Sequence, residues 1–138
     1  MKLIYFFLFS FFPFSILAKD PYPKNPNIDI LNYKFETHLN DTSDIFYGSA
    51  DIALNIKDSE DRVRLDLISQ GKDGMGMEVK KVTFNGSEVS YSHDNDVLLI
   101  ETGALEYSSR DIINVVYSGM PITGLIIGPN MHGDRTFF

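Results

Sequence analysis

The histidines are the most versatile candidates for chemistry in this sequence, because an imidazole ring binds zinc and exchanges a proton near neutral pH. There are three of them, His38, His93 and His132, and no two have the short spacing of an HExxH helix. A zinc site assembled from separate strands is the functional alternative. We expect instead that His38 points outward from a strand and that His93 lies near a turn.

Acidic residues are concentrated at three places, where a calcium site would have to be sought. These places are Asp41 with Asp44, residues 58–61, and Asp94 with Asp96. None of them has the ligand spacing of an EF-hand or of a repeat-type calcium loop. Each lies where the chain is expected to turn, so we interpret them as solvated turn residues.

The sequence contains no motif of a nucleophilic or phosphate-binding enzyme. No serine stands in G-x-S-x-G, and residues 74–77 (GMGM) lack the Lys-Ser or Lys-Thr of a phosphate loop. The lack of cysteine excludes thiolate metal sites, cysteine nucleophiles and lipid attachment through an N-terminal cysteine. Among 19 acidic residues, no acid–base pair can be chosen from the sequence. We therefore assign no catalytic, cofactor-binding or metal-binding residue to this chain.

Length and charge bound the class of protein. The 138 residues are enough for one domain with a hydrophobic core, and the formal net charge is −7. This acidity argues against nucleic acid, whose phosphates are bound by clustered Lys and Arg, and against an anionic membrane surface. The commonest meaning of such a charge is solubility.

Residues 1–18 have the layout of a secretory signal peptide. A basic start precedes an apolar run over residues 3–17, and the small Ala18 stands at a plausible cleavage position. The run is shorter than the roughly 20 residues of a spanning helix, so we expect no stable membrane span after cleavage; an uncleaved anchor is the alternative. Residues 19–27 hold three prolines and predict an extended tether. We expect an exported protein, periplasmic or secreted.

Alternation of apolar and polar residues with a period of two predicts about seven strands and no convincing helix. The predicted strands cover residues 29–39, 46–56, 62–68, 78–84, 88–92, 97–101 and 111–117. Residues 28–138 would therefore form an all-β domain, most simply an antiparallel β-sandwich or saddle-like layered sheets.

Several residues make this prediction specific. In the first strand, the residues expected on one face are Leu31, Tyr33, Phe35 and Leu39. Gly48 suggests a bulge or a close backbone approach. Asn85-Gly86 predicts a tight hairpin, because both central residues of its turn need positive φ. Residues 111–117 are apolar on both faces, which predicts a central strand covered on both sides.

The last stretch, residues 117–138, is rich in glycine and proline and then enters a new strand at Arg135. Phe137 and Phe138 close the sequence, whereas the ends of domains are usually exposed and polar. We interpret the chain as breaking off inside a larger protein, with the β domain C-terminally incomplete. The strand at Arg135 is then expected to lack a partner or to expose apolar surface.

Seven short segments follow one another in a characteristic order. They are residues 30–35 (ILNYKF), 46–52 (FYGSADI), 65–67 (LDL), 79–86 (VKKVTFNG), 116–119 (VYSG), 124–125 (GL) and 133–138 (GDRTFF). Their order, their spacing and the ending resemble the N-terminal domain of the aminopeptidase N family of zinc metallopeptidases, the gluzincin aminopeptidases. The resemblance runs from about Ile28 to the last residue, which is essentially the whole mature chain.

The resemblance implies a saddle-shaped, non-catalytic β domain that precedes a thermolysin-like catalytic domain. In this family the catalytic domain carries HExxH, a downstream zinc-binding glutamate and a Gly-x-Met-Glu-Asn segment that holds the substrate amine, and this sequence contains none of them. The family's β domain also contributes a Gln or Glu near the substrate amine, but that position lies beyond Phe138. No site residue is therefore carried over.

The resemblance also implies what the chain and its parent would do. The chain alone would be no enzyme and would hold no cofactor, whereas the full-length parent would be a zinc metalloaminopeptidase that removes N-terminal residues from peptides. The chain's partner would be its own catalytic domain, and the parent's substrates would be peptides. The alternative is a stand-alone exported β-sandwich that binds protein or carbohydrate.

Overall fold

The computed structural model describes residues 25–57, 61–103 and 108–138, and every regular element in these ranges is a β-strand. None of the described residues forms a helix that could span a membrane. The strands are, in chain order, β1 (Ile28–His38), β2 (Phe46–Ile56), β3 (Arg62–Asp66), β4 (Gly76–Phe84), β5 (Ser87–Glu88), β6 (Tyr91–Asp94), β7 (Val97–Glu101), β8 (Asp111–Met120), β9 (Ile127–Pro129) and β10 (Arg135–Phe137). The predicted leader, most of the predicted tether and the start of the acidic cluster at 58–61 lie outside the described residues.

The strands form two layers and a separate hairpin. A five-stranded sheet has the order β1-β2-β8-β4-β5, a three-stranded sheet has the order β3-β7-β6, and β9 pairs with β10. All of these neighbouring strands are antiparallel. The predicted all-β, antiparallel sandwich is confirmed.

The core lies between the two sheets. The alternation of β2 is confirmed, because its apolar face from Phe46 to Ile56 is buried. The least exposed apolar side chains are Leu54, Val63, Val82, Leu98, Ile100 and Ile113. We call the part of the large sheet that packs under β3, β7 and β6, represented by Leu54 and Ile113, the covered half.

Two tight turns have the backbone that their sequences predict. Asn85 and Gly86 have φ values of 48° and 84°, which confirms the predicted hairpin between β4 and β5. Asn95 and Asp96, with φ values of 50° and 63°, form a second such turn between β6 and β7. These turns set the register of their hairpins.

The prediction of one strand over residues 88–92 is wrong, because the chain changes sheets there. Ser87–Glu88 pairs with β4, whereas Tyr91–Asp94 pairs with β7 in the other sheet. Between them, Val89 packs against the core, and its N–H donates to the carbonyl of Val82 at 3.2 Å. Apolar residues before and after this passage from one sheet to the other alternate with polar ones, so the pattern did not reveal that the strand ends there.

The face predicted for β1 is only partly right. A register shift between Ile30 and Asn32 places a bulge at Leu31, whose side chain is 48% exposed. Tyr33 and Phe35 share the inner face, yet they remain 48% and 63% exposed. Their exposure follows from position, because β1 is an edge strand and the smaller sheet does not extend over this part of it.

The prediction for β8 is also half right. The strand is central, between β2 and β4, and its inner residues Ile113 and Val115 are buried. Its outer face is not covered, because Ile112 is 44% and Val116 is 36% exposed.

The strand at Arg135 has a partner, contrary to the first of the two expectations for it. Residues 135–137 pair with residues 127–129, and backbone hydrogen bonds between Ile126 and Phe138 extend the hairpin. The expected apolar exposure is present only in part: Phe138 is 67% exposed, whereas residues 135–137 are half-buried. Elsewhere in the hairpin, Ile126 is 59% and Met131 is 91% exposed.

Candidate functional site

The three histidines stay apart in the structure. His38 is exposed at the end of β1, as predicted, with its Nε2 3.0 Å from a carboxylate oxygen of Glu36. His93 lies in β6, close to the Asn95-Asp96 turn, and its Nε2 is 2.8 Å from the carbonyl oxygen of Leu67. His132 is exposed between β9 and β10. No group of three or more His, Cys, Asp or Glu in the described ranges could hold a metal ion, so these residues do not fit a zinc site.

Several residues of the acidic clusters organise turns, as predicted. A carboxylate oxygen of Asp96 accepts the N–H of Ser69 at 2.8 Å, and the hydroxyl of Ser69 accepts the N–H of Asp96 at 3.0 Å. Asp94 accepts from the side chain of Asn95 at 2.6 Å. Asp44 forms an ion pair with Arg135 and so links the loop before β2 to the C-terminal hairpin.

An open apolar cleft is the feature best suited to binding among the described residues. It has a volume of about 590 Å³ and lies between the large sheet and β3. The large sheet contributes side chains from β1, β2 and β8, and the smaller sheet contributes β3 and Leu98 of β7. The apolar lining consists of Ile28, Ile30, Tyr33, Phe35, Ala50, Ile52, Val63, Leu65, Leu67, Leu98, Val115 and Tyr117. A mostly apolar concavity of this size is typical of a binding site.

Aromatic rings line the mouth of the cleft, in what we call the open half of the large sheet (Tyr33, Phe35 and Tyr117). The rings of Tyr33 and Phe35 are parallel within 3°, with their centres 5.7 Å apart. Tyr117 meets Phe46 edge to face at 6.1 Å. Such arrangements favour aromatic packing, and the half-exposed pair has apolar surface left for a further group.

Gly48 allows the ring of Tyr117 to lie against the sheet. A methyl group at Gly48 would lie 2.7 Å from two carbons of that ring, so a larger residue would displace it. The prediction of a bulge or a close backbone approach at Gly48 is therefore wrong, because the close neighbour is a side chain and the paired registers of β2 shift only opposite Leu31. Burial raises the pKa of the Tyr117 phenol above its ordinary value of 10.0, because the phenolate would lose solvation.

Both arginines at the rim of the cleft are paired with carboxylates, and Asp29 also lines the cleft. Arg62 is 3.0 Å from a carboxylate oxygen of Glu101, and Arg64 is 2.8 Å from Asp66. The cleft thus offers an apolar floor, a phenol and a rim on which both arginines are paired with carboxylates. This arrangement suits an apolar or aromatic group better than an anion, and it contains no nucleophile activated by a base.

Sequence reasoning did not single out the buried Asp111. This residue is fully buried at the start of β8 and accepts hydrogen bonds from the side chain of Asn85 at 2.9 Å and from the hydroxyl of Ser108 at 2.7 Å. The backbone N–H of Ser108 donates to it at 3.1 Å. Asn85 in turn accepts the N–H of Ile112 at 2.9 Å. The signal was available in the Asn-Gly turn, but its partner lies 26 residues away, so only the fold brings them together.

No protein-family model matches the sequence, and no curated protein matches it. A variant of the M1 zinc metallopeptidase from Deinococcus radiodurans, bound to a Tyr-Ser-Ala substrate, has a similar fold with a TM-score of 0.57 and 16% identity. The similarity covers 72% of this chain and 22% of that chain. A two-domain M1 zinc metallopeptidase variant bound to L-tryptophan gives a TM-score of 0.55 at 14% identity, over 78% of this chain and 23% of that one.

A further structure of the M1 zinc metallopeptidase from Deinococcus radiodurans gives a TM-score of 0.55 at 16% identity, over 69% of this chain and 21% of that one. The chain thus spans about a fifth of the length of these proteins. At such identities the similarity is one of fold, and the chain has the fold of a part of the M1 zinc metallopeptidases.

Proposed function

We propose that this chain provides the non-catalytic N-terminal β domain of an exported zinc metalloaminopeptidase. The observation that carries the proposal is the similarity of fold to M1 zinc metallopeptidases, with a TM-score of 0.57 over 72% of this chain and 22% of that chain. Because folds are reused for many functions, the similarity supports the family of the parent and does not assign chemistry to this domain.

In this proposal the zinc ion belongs to the parent's catalytic domain. The described residues do not bring His38, His93 and His132 together: the imidazole of His38 contacts the carboxylate of Glu36, and that of His93 contacts the carbonyl oxygen of Leu67. The β domain would contribute shape and an interaction surface, and the removal of N-terminal residues from peptides would take place beyond it.

The C-terminal hairpin is the surface on which we place the contact with that catalytic domain. Ile126, Met131 and Phe138 are more than half exposed on one small two-stranded element, although the hairpin itself is held by backbone hydrogen bonds. Exposed apolar side chains grouped in this way are typical of surfaces that another part of a protein covers. The ion pair between Arg135 and Asp44 ties the hairpin to the loop before β2.

The proposal is tested first on the chain alone. Purified from an exporting host, it should release no amino acid from aminoacyl reporter substrates and retain no stoichiometric zinc after dialysis. Tight zinc binding or release of amino acids would refute the assignment of a non-catalytic domain.

The coding DNA supplies the second test. An open frame that continues past codon 138 and encodes HExxH within a few hundred residues supports the proposal. A stop codon with no catalytic segment downstream contradicts it.

A stand-alone binding module is the second candidate, and the aromatic mouth of the cleft favours it. Tyr33 and Phe35 are parallel, half exposed and adjacent to an apolar cavity, which is a suitable surface for a protein or carbohydrate ligand. This candidate predicts saturable binding of peptides or glycans by the chain alone, followed by tyrosine fluorescence. The variant Phe35→Ala should abolish that binding, whereas Ile112→Ala on the outer face should not.

A further inference from the structure

The outer edge of β1 is a second surface with the properties of a binding site. It is separate from the C-terminal hairpin and borders the cleft, because Tyr33 and Phe35 also line the cleft. Among the described residues β1 pairs only with β2, so its other side presents backbone N–H and C=O groups along an edge. All its side chains from Leu31 to His38 are exposed. A long edge strand with exposed apolar residues is a ready template for pairing with another strand.

The bulge at Leu31 limits where regular pairing can occur. From Asn32 to His38, seven residues of β1 follow an uninterrupted register with β2. Phe35 lies at the centre of this segment, with three regular residues on each side. A two-fold pairing about Phe35 would therefore engage all seven regular residues of both copies, with each residue i facing residue j and the reverse.

The charged residues on either side of Phe35 favour the same central residue. If two copies of β1 pair antiparallel about Phe35, Lys34 of one copy lies opposite Glu36 of the other, and the reverse pair forms as well. Both side chains are mostly exposed, at 70% for Lys34 and 59% for Glu36, and their present partners, Asp51 and His38, are also accessible to solvent. Such exposed pairs are weak, so either side chain can turn toward a new partner at little cost.

Packing on the inner face agrees with this register. Phe35, the most exposed aromatic side chain of β1 at 63%, would lie opposite its own copy. Pairing about Tyr33 instead would oppose Asn32 to Lys34 and would run Ile30, beside the bulge, against Glu36. Directly opposed aromatic residues and opposite charges both stabilise antiparallel pairs, whereas the alternative register offers neither charge pair.

We propose that this chain self-associates through antiparallel pairing of β1 with β1 of a second copy, about a two-fold axis at Phe35. The product is a continuous ten-stranded sheet in which Lys34 and Glu36 form two reciprocal ion pairs. The inference does not rest on the proposed function, because it uses only the edge strand, its register and its charges.

Site-specific cross-linking tests the register directly. The sequence has no cysteine, so Phe35→Cys introduces a single thiol at the two-fold axis, where opposite Cβ atoms lie about 5 Å apart. We expect a short bis-maleimide to convert most of this variant into covalent dimer. Tyr33→Cys is the matched control, because its two copies would be separated by about 13 Å along the strands and should stay uncross-linked. Equal yields from the two variants, or a higher yield from Tyr33→Cys, would overturn the proposed register.

Charge reversal tests the same contact without cysteine. Lys34→Glu and Glu36→Lys each place like charges opposite one another twice, so each should weaken dimerisation by about tenfold or more in sedimentation analysis. An equimolar mixture of the two variants should restore the dimer, because every opposed pair is then of opposite sign. Lys81→Glu is the control, because Lys81 lies in β4, three strands away from β1 in the same sheet. This variant should dimerise like the parent. A parent chain that is monomeric at all concentrations, or a mixture that does not recover, contradicts the proposal.

Discussion

The two halves of the large sheet carry apolar side chains on the same face, yet they differ in what lies over them. In the covered half, Leu54 and Ile113 are fully buried beneath the smaller sheet. In the open half, Tyr33 and Phe35 remain about half exposed beside a cleft. Since burial of apolar area supplies most of the stability of a fold, the comparison indicates that the covered half holds the domain together. The open half leaves aromatic side chains accessible to a binding partner.

A pair of truncations gives the largest expected difference between the halves. Leu54→Ala should lower the free energy of unfolding by about 3 kcal/mol, because it leaves a cavity in the closed core. Phe35→Ala should lower it by less than about 1 kcal/mol, since most of that ring is already in water. Urea unfolding at low protein concentration, where the chains are dissociated, measures both. Similar losses in the two variants would show that the open half is as important for stability as the covered half.

Two glycines of the large sheet distinguish a contact with the backbone from a contact with a side chain. A methyl group at Gly119 would lie 2.0 Å from the carbonyl oxygen of Gly76 on the neighbouring strand, so Gly119→Ala must push β4 and β8 apart. We expect a loss of about 2–3 kcal/mol. The three atoms nearest to a methyl group at Gly48 all belong to the side chain of Tyr117, which borders the cleft. We expect this side chain to move aside, so Gly48→Ala should cost about 1 kcal/mol. Urea unfolding of both variants checks the order, and a reversed order would mean that the ring of Tyr117 is held rigidly.

The buried carboxylate of Asp111 should also contribute more to the free energy of unfolding than an exposed carboxylate that accepts a similar hydrogen bond. Asp111→Ala removes the acceptor for Asn85 and Ser108 at a fully buried position, and we expect a loss of about 2 kcal/mol. Asp51→Ala is the control: Asp51 accepts from Asn114 at 2.7 Å but is partly exposed, so water can replace it. Thermal unfolding of both variants measures the difference. Equal shifts in Tm would contradict a special contribution from burial.

The smallest expected effect is a decrease in the free energy of unfolding at alkaline pH, which we attribute to Tyr117 in the open half. Burial raises the pKa of Tyr117 above 10.0 in the folded chain, so the unfolded chain loses this proton first as the pH rises. The contribution of Tyr117 is therefore fully present below about pH 10 and declines as the pH approaches the folded value. Tyr117→Phe should reduce the loss of stability between pH 8 and pH 11 in urea unfolding, and Tyr47→Phe, at an exposed position, is the control. A Tyr117→Phe curve parallel to that of the parent would remove this explanation.

The alternation of apolar and polar residues predicted most of the strands, because each alternation is complete within one short segment. Residues 46–56 alternate, and their apolar face is buried; Asn85-Gly86 supplies positive φ, and a hairpin turn forms there. The errors lie where the outcome depends on a distant element. Val89 marks a crossing between sheets, and Leu31 occupies a bulge; neither can be recognised without the strands that they face.

The candidate site was less predictable than the fold. Nothing in the sequence indicates that the smaller sheet leaves Tyr33 and Phe35 half exposed, because the coverage of one sheet by another is set by strand lengths and registers across the whole domain. The histidines and acidic turns could be judged individually, since their spacing fitted no ligand motif. The cleft, in contrast, is formed by side chains from five strands and exists only after folding.

The zinc content and mass of the native protein test the central proposal most directly. An antibody raised against residues 28–138 would isolate the product from its own source, and mass spectrometry with metal analysis would follow. The proposal predicts a polypeptide several times longer than 138 residues, in line with the share of the M1 metallopeptidases that the chain covers, with one bound zinc per chain and activity toward aminoacyl reporters. A native product no longer than this chain, without zinc and without peptidase activity, would contradict it.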